Sequence, residues 1–270
     1  LRMVLMRAQA DSVDAAVRKL EPGFPRRAWG IRHLRFQDGT AMKDLSGLAA
    51  CSAALQVLWI DFFNCPRLKD VSGLAGCTAL HTLQLVGCDD LEDVSGLAGC
   101  KALHVLNLED CCALKDVSGL ASCAVLHQLT INNCPVQDVS ALADCAALHK
   151  LWISHCSEVR DISGMFDRGV LRGVLHTLDL CQCNVHLSDV SGLATCSALH
   201  TLKLRDCTGV KDVSALGGCA ALHTLTIGNC PEVRDVSGMF DCGVLRGVLH
   251  TLDLSNYNIH LSDVSGLATC

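Results

Sequence analysis

Residues Asp70–Glu92 read DVSGLAGCTALHTLQLVGCDDLE, and the next stretch, Asp93–Lys115, reads DVSGLAGCKALHVLNLEDCCALK. The same phrase recurs along the chain. Its opening Asp stands at positions 44, 70, 93, 116, 138, 161, 189, 212, 235 and 263, at intervals of 26, 23, 23, 22, 23, 28, 23, 23 and 28 residues. A period in the low twenties, with L-x-x-L-x-[LI] once per period, marks a stacked repeat array and not a globular enzyme domain.

One repeat can be built from its residues. In Leu80-His81-Thr82-Leu83-Gln84-Leu85, Leu83 and Leu85 alternate with Thr82 and Gln84, the period-two signature of a short strand with one buried face. Cys88 turns the chain inward, Leu91 and Val94 fill the core, and Ser95-Gly96-Leu97-Ala98 has room for a turn of 3₁₀ or α-helix before Cys100 closes the coil. Each repeat returns to start a strand parallel to the last, and such crossovers are right-handed in almost all cases. Strands lie about 4.8 Å apart and the opposite turns are bulkier, so the expected fold is an α/β right-handed solenoid, a horseshoe or arc with its parallel sheet concave and its short turns convex.

The motif L80-x-x-L83-x-L85-x-x-C88 resembles the leucine-rich repeat consensus, with Cys where many members have Asn. The D-V-S-G-L-A segment resembles the convex side of internalin-type and phosphatase-regulator-type repeats, and the doubled cysteines resemble the cysteine-containing repeats of F-box proteins. More narrowly, C-x-A-L-H-x-L with D-V-S-[GA]-L is similar to trypanosome leucine-rich repeat proteins, some of which are described as adenylate cyclase regulators. The resemblance implies a non-catalytic protein-binding scaffold.

The expected domain organisation is a capping segment over residues 1–29 and an array of about ten repeats over 30–270. Within the cap, Asp11–Leu20 reads as an amphipathic helix with Val13, Ala16, Val17 and Leu20 on one face, ended by Pro22 and Pro25. The last repeat stops in mid-phrase at Cys270, so a truncated array is expected, with Val264, Leu267 and Cys270 on its apolar flank. Two repeats, Asp161–Ser188 and Asp235–Ser262, replace L-A-x-C by G-M-F-D-x-G-V-L-R-G-V-L. They lie 74 residues apart, which indicates a duplicated three-repeat segment with an extended helical turn on the convex side.

Composition narrows the function classes. Hydrophobic residues make up 50% and aromatics 4%, which suits thin layers of Leu, Val, Ala and Cys. The net charge of −6 comes without a basic run, which disfavours a nucleic-acid partner. Polar residues interrupt every repeat before the roughly 18 apolar residues of a membrane span accumulate. Of the 19 cysteines, 17 fall at two fixed phases, after the strand and in L-A-x-C or its equivalent, with Cys112 and Cys181 extra. Such placement reads as small buried hydrophobes with weak S–H donors, and so many thiols suggest a reducing, cytoplasmic setting.

Two columns invite a metal. His81, His104, His127, His149, His176, His200, His223 and His250 share one phase and would stack about 5 Å apart. No carboxylate or thiolate shares their phase, so they read as lateral residues packing edge-on. The Asp column reads as a set of caps whose oxygens accept from N–H groups two or three residues on, because calcium-binding coils need glycine-rich loops with several ligands per turn. No phosphate loop, nucleophile elbow or zinc-protease motif occurs, so no cofactor, metal, small-molecule substrate or enzymatic activity is expected of this chain.

Recognition is then expected from what varies on the concave face. Against a background of Thr and Asn, including Thr82, Asn107, Thr130 and Thr226, stand Trp59 and a cluster of Lys150, Trp152, His155, Lys203 and Arg205, with Glu109, Asp110, Asp179 and Asp206 beside them. Aromatic and basic residues together match the usual hot-spot composition. Alternative readings are an architectural component of a large assembly and a substrate-recognition module of a ubiquitin ligase.

Overall fold

The computed structural model describes residues 3–6, 32–36, 43–60, 65–183 and 187–255. The expected cap helix and the apolar flank of the last repeat lie outside them. The chain forms two compact blocks, Leu1–Pro135 and Val136–Cys270. In the first, β1 (Met3–Met6), β2 (His33–Phe36), β3 (Val57–Ile60), β4 (Thr82–Val86), β5 (Val105–Glu109) and β6 (Gln128–Asn132) pair in chain order, every pair parallel. In the second, β7 (Lys150–Ser154), β8 (Thr177–Cys181), β9 (Thr201–Arg205), β10 (Thr224–Gly228) and β11 (Thr251–Asp253) do the same. This is the stacking that the repeat predicts.

The register puts equivalent residues side by side. Leu83 pairs with Leu106 and Leu85 with Leu108, and equivalent columns run through β7–β10, with Ile153 and Ile227 in place of Leu in the second. In the repeat from Leu80, residues Leu80, Leu83, Leu85, Cys88, Leu91, Val94, Leu97 and Cys100 are all fully buried. Each leucine so placed contributes roughly 1.5–3 kcal/mol relative to exposure. Because repeats contact mainly their neighbours, those gains accrue layer by layer.

The turns opposite the strands are 3₁₀, as in Ser95–Gly99, where Leu97 N–H donates to Val94 O at 2.9 Å and Cys100 N–H to Leu97 O at 2.9 Å. Their entry is an Asx turn. Asp93 Oδ1 accepts from Ser95 N–H at 2.8 Å, Asp116 from Ser118 at 2.6 Å, Asp161 from Ser163 at 2.7 Å and Asp212 from Ser214 at 2.8 Å. The Asp column therefore satisfies backbone donors, as the capping reading expects. Gly96 is required by stacking, since a Cβ there would sit 2.4 Å from Val71 O of the preceding turn.

Where each strand ends, the chain turns through a left-handed corner. Gly87 has φ 67°, and the equivalent Asp110, Asn133, His155, Gln182, Asp206 and Asn229 have φ between 50° and 54°. The Cys that follows is buried, and its thiol reaches back to carbonyls: Cys207 Sγ–H lies 3.5 Å from Leu180 O and 3.4 Å from Arg205 O. Among the described cysteines no disulfide forms.

The two long repeats differ from expectation. Their extra residues form a second short 3₁₀ turn after the first, Ser163–Phe166 then Leu171–Gly173, and Ser237–Phe240 then Leu245–Gly247, in place of one longer helical turn. The break is at Gly169 (φ 74°) and Gly243 (φ 69°), whose positive φ no helix propagates. Phe166 and Phe240 fill the layer and are fully buried, and Val170 and Val244 project at 41% and 39% exposure. Cys242, placed with the interior cysteines by its phase, is exposed because it lies just before that break.

Candidate interaction face

Side chains that alternate with the buried leucines form three outward columns on each sheet. The middle column of the first block runs Arg35, Trp59, Gln84, Asn107, Thr130, and that of the second runs Trp152, Asp179, Lys203, Thr226, Asp253. Trp59 is half-buried, and the Arg35 guanidinium lies over its ring, 5.4 Å from the centroid, a cation–π contact. Arg35 was not among the sequence candidates. It shares the phase of Trp59, one repeat earlier, in Leu34-Arg35-Phe36 against Leu58-Trp59-Ile60, which is the signal that could have found it.

In the second block the structure gathers four of the candidates on β7 and β9. Trp152 is half-buried beside Asp179, and Asp179 Oδ2 lies 3.7 Å from Lys203 Nζ. The other carboxylate oxygen, Oδ1, is buried and has no hydrogen-bond partner among the described residues. Lys150 is exposed at the start of β7, and Arg205 is exposed at the end of β9, in register with half-buried Cys181. The stem of Arg205 lies against buried Gly228 of the next strand, where a Cβ would sit 3.9 Å from Arg205 Cγ.

His155 stands elsewhere. It is exposed at the left-handed corner after β7, and its N–H donates to Cys181 O at 2.9 Å, so it belongs to the corner row and not to the strand face. Thr226, expected on the open face, is only 8% exposed. The acidic flankers are tied by amides of the following repeat: Asn132 Nδ2 donates to Glu109 at 3.1 Å, Asn133 Nδ2 to Asp110 at 2.8 Å and Asn229 Nδ2 to Asp206 at 2.5 Å.

The histidine column stacks at the expected spacing, but face to face and not edge-on. Ring centroids are 4.1 Å apart for His81–His104, 4.9 Å for His104–His127 and His149–His176, and 5.1–5.2 Å from His176 through His250, with interplanar angles of 4–20°. The cause is a backbone bond. Nδ1–H of His104, His127, His176, His200, His223 and His250 donates to the carbonyl two residues back at 2.6–2.7 Å, and His149 does likewise to Ala147 O. Each of these seven rings is thus held in one orientation by its Nδ1–H. Parallel lone pairs about 5 Å apart do not converge on one ion, which a zinc site needs at about 2.0–2.1 Å from each nitrogen. Among the described residues no cluster of three or more His, Cys, Asp or Glu is arranged to hold a metal.

Several thiols are shifted away from nucleophilic chemistry. Burial pushes Cys100 up to about 12 and Cys219 up to about 11. Hydrogen bonding between thiols raises Cys134 (to Cys111) and Cys230 (to Cys207) further still. Even exposed Cys112 is raised, by desolvation and then by Asp89. A thiolate nucleophile needs the opposite shift. No described helix is long and apolar enough to cross a membrane.

Comparison with known proteins gives the fold its name. No family model and no curated protein sequence matches the chain. Solved structures do. The chain is similar to an internalin (inlF) from Listeria monocytogenes, with 21% identity and TM-score 0.55 over 88% of this chain and 70% of that one. It is similar to the leucine-rich repeat domain of the type III effector XopL, with 21% identity and TM-score 0.62 over 73% and 68%. TLR13, solved with ssRNA13, matches at 17% identity and TM-score 0.58 over 88% of this chain and 31% of its own length. Parallel strands in chain order, 3₁₀ turns between them, the L-x-x-L-x-L core and these neighbours agree: the fold of this chain is the leucine-rich repeat fold.

Proposed function

We propose that this chain is a non-catalytic scaffold that holds a protein or peptide partner on the open strand face of its second block, the concave side of the expected coil, with Trp152 as anchor. The observation that carries the reading is the juxtaposition on β7–β9: a half-buried Trp152, the Asp179–Lys203 pair beside it, and exposed Lys150 and Arg205 at opposite strand ends. Interfaces concentrate their energy in such aromatic and basic groups. The first block offers a second contact of similar chemistry at Trp59 and Arg35. A related structure binds RNA, but the net charge of −6 and the carboxylates interleaved on this face favour protein over a phosphate backbone here. Regulation of a signalling enzyme, or substrate presentation within a ubiquitin ligase, would be specific forms of the same activity. The buried thiols fit a reducing compartment.

The test is affinity capture of the partner followed by binding measurements on Trp152→Ala. Loss of a central Trp costs about 2 kcal/mol or more, on the order of thirtyfold in Kd. A folded Trp152→Ala protein that binds its purified partner unchanged refutes the anchor. An architectural role through the turn side, where Val170 and Val244 project, then becomes the better reading.

A further inference from the structure

The histidine column does nothing in the binding reading, and its geometry is unusual for a surface. Within the first block His81, His104 and His127 stack in contact, and within the second His149, His176, His200, His223 and His250 do. His81 Nδ1 pairs with the Thr82 hydroxyl at 3.3 Å; in the other seven rings the bond from Nδ1–H to a backbone carbonyl prevents the ring from turning away from its neighbours. Protonation at Nε2 leaves that bond intact, so the charge is added to a ring that stays in the stack.

We propose that this ladder is an acid-sensitive element, in which protonation of adjacent, backbone-locked imidazoles places like charges about 5 Å apart and loosens the solenoid.

The surroundings offer little to neutralise such charge. The segments leading into the ladder are CTAL, CKAL, CAVL, CAAL, RGVL, CSAL, CAAL and RGVL, without a carboxylate among them. Their charged members, Lys101, Arg172 and Arg246, are cations, as is Lys150 next to His149. On the strand side the first residues after the histidines are Thr82, Val105, Gln128, Lys150, Thr177, Thr201, Thr224 and Thr251. The middle strand column beyond them has two carboxylates in the second block: Asp179, beside Lys203, and Asp253, which accepts from Ser255 N–H. Lys203 stands in the same column.

Two unit charges at 5 Å repel by about fourfold in proton affinity even at the dielectric of water. The unfolded chain, with its histidines apart, escapes this penalty and binds more protons. Stability is therefore full at pH above the ordinary histidine value of 6.5 and declines as pH falls below it. His81, in the tightest pair, fits: desolvation first, then the charges of His104 and His127, hold its pKa below that value.

The test compares wild type with a variant carrying His104→Asn, His176→Asn and His223→Asn, which leaves every remaining histidine without a stacked histidine neighbour inside its block. Urea unfolding is followed from pH 7.5 to 5.0. The wild type is expected to lose at least tenfold more of its folding equilibrium constant than the variant over that range. Parallel pH profiles overturn the proposal. If the triple variant does not fold, NMR titration of His81 in wild type and in His104→Asn decides. A midpoint that rises toward 6.5 on substitution supports the ladder; an unchanged midpoint overturns it.

Discussion

Replacing Phe166 by Ala tests the packing of the long repeats. The ring is fully buried in a layer where ordinary repeats place a small residue, and it supports the next turn as well: a Cβ built on Gly192 would lie 3.2 Å from Phe166 Cδ2. Loss of the ring removes a burial contribution of roughly 1.5–3 kcal/mol. It also leaves a cavity that two flanking turns cannot both close, which brings the expected cost to about 3–5 kcal/mol. Phe240 occupies the equivalent position, is equally buried and lies in the duplicated repeat, so Phe240→Ala is an internal replicate. The two sites are three repeats apart, so their effects should add within about 0.5 kcal/mol. The assay is urea unfolding of both single variants and the double variant, with amide exchange to locate the loosened turns. Costs below about 1 kcal/mol, or loosening that spreads evenly instead of centring on Ser163–Phe166 and Ser191–Thr195, would refute this account of the insertion.

Other outcomes follow from single contacts. Asp116→Ala deletes the 2.6 Å bond from Ser118 N–H and should cost about 1 kcal/mol in urea unfolding, while Asp116→Asn, which keeps an acceptor, should cost less. Asp212 is held below the ordinary carboxylate value by the Ser214 N–H and then the Ser214 hydroxyl, so its contribution is present above about pH 4 and fades as pH falls through its folded value. Comparing the stability of wild type and Asp212→Asn between pH 5 and 2.5 should therefore show the larger acid loss in wild type. A maleimide at pH 7.5 should label exposed Cys112 and Cys242 in the folded protein, with mass spectrometry finding buried cysteines such as Cys100 and Cys219 modified only after denaturation.

The repeat made most of this fold legible, because a fixed period imposes the same constraints on every layer. Leu83 and Leu85 point inward for the reason Leu106 and Leu108 do, and one repeat correctly read is nearly all of them read. What the pattern hid were departures decided by neighbours in space. The phase of Cys242 promised burial, but the break at Gly243 puts it outside. Thr226 has the alternation of a surface residue but is nearly covered. His155 follows Trp152 by three residues in sequence, but it is itself the left-handed residue that turns the corner. The candidate face was legible as a composition; the Asp179–Lys203 pair and the Arg35–Trp59 stack needed the strand register. The face-to-face histidines depended on a backbone carbonyl that no side-chain pattern reveals.

The left-handed corners have a use in protein engineering. A side chain in that conformation costs about 1–2 kcal/mol, least for Asn and Asp, which bond locally, and nothing for glycine. Asn133 and Asn229 recover part of the cost through bonds to Asp110 and Asp206, whereas Gln182 and His155 are the corners most exposed to it. Glycine already stands at the equivalent position 87. Introducing it at 182 would relieve strain of about 1 kcal/mol, less the extra entropy glycine gives the unfolded chain. The gain would come outside the strand face, so a more heat-resistant scaffold could be made without altering the surface that Trp152 presents.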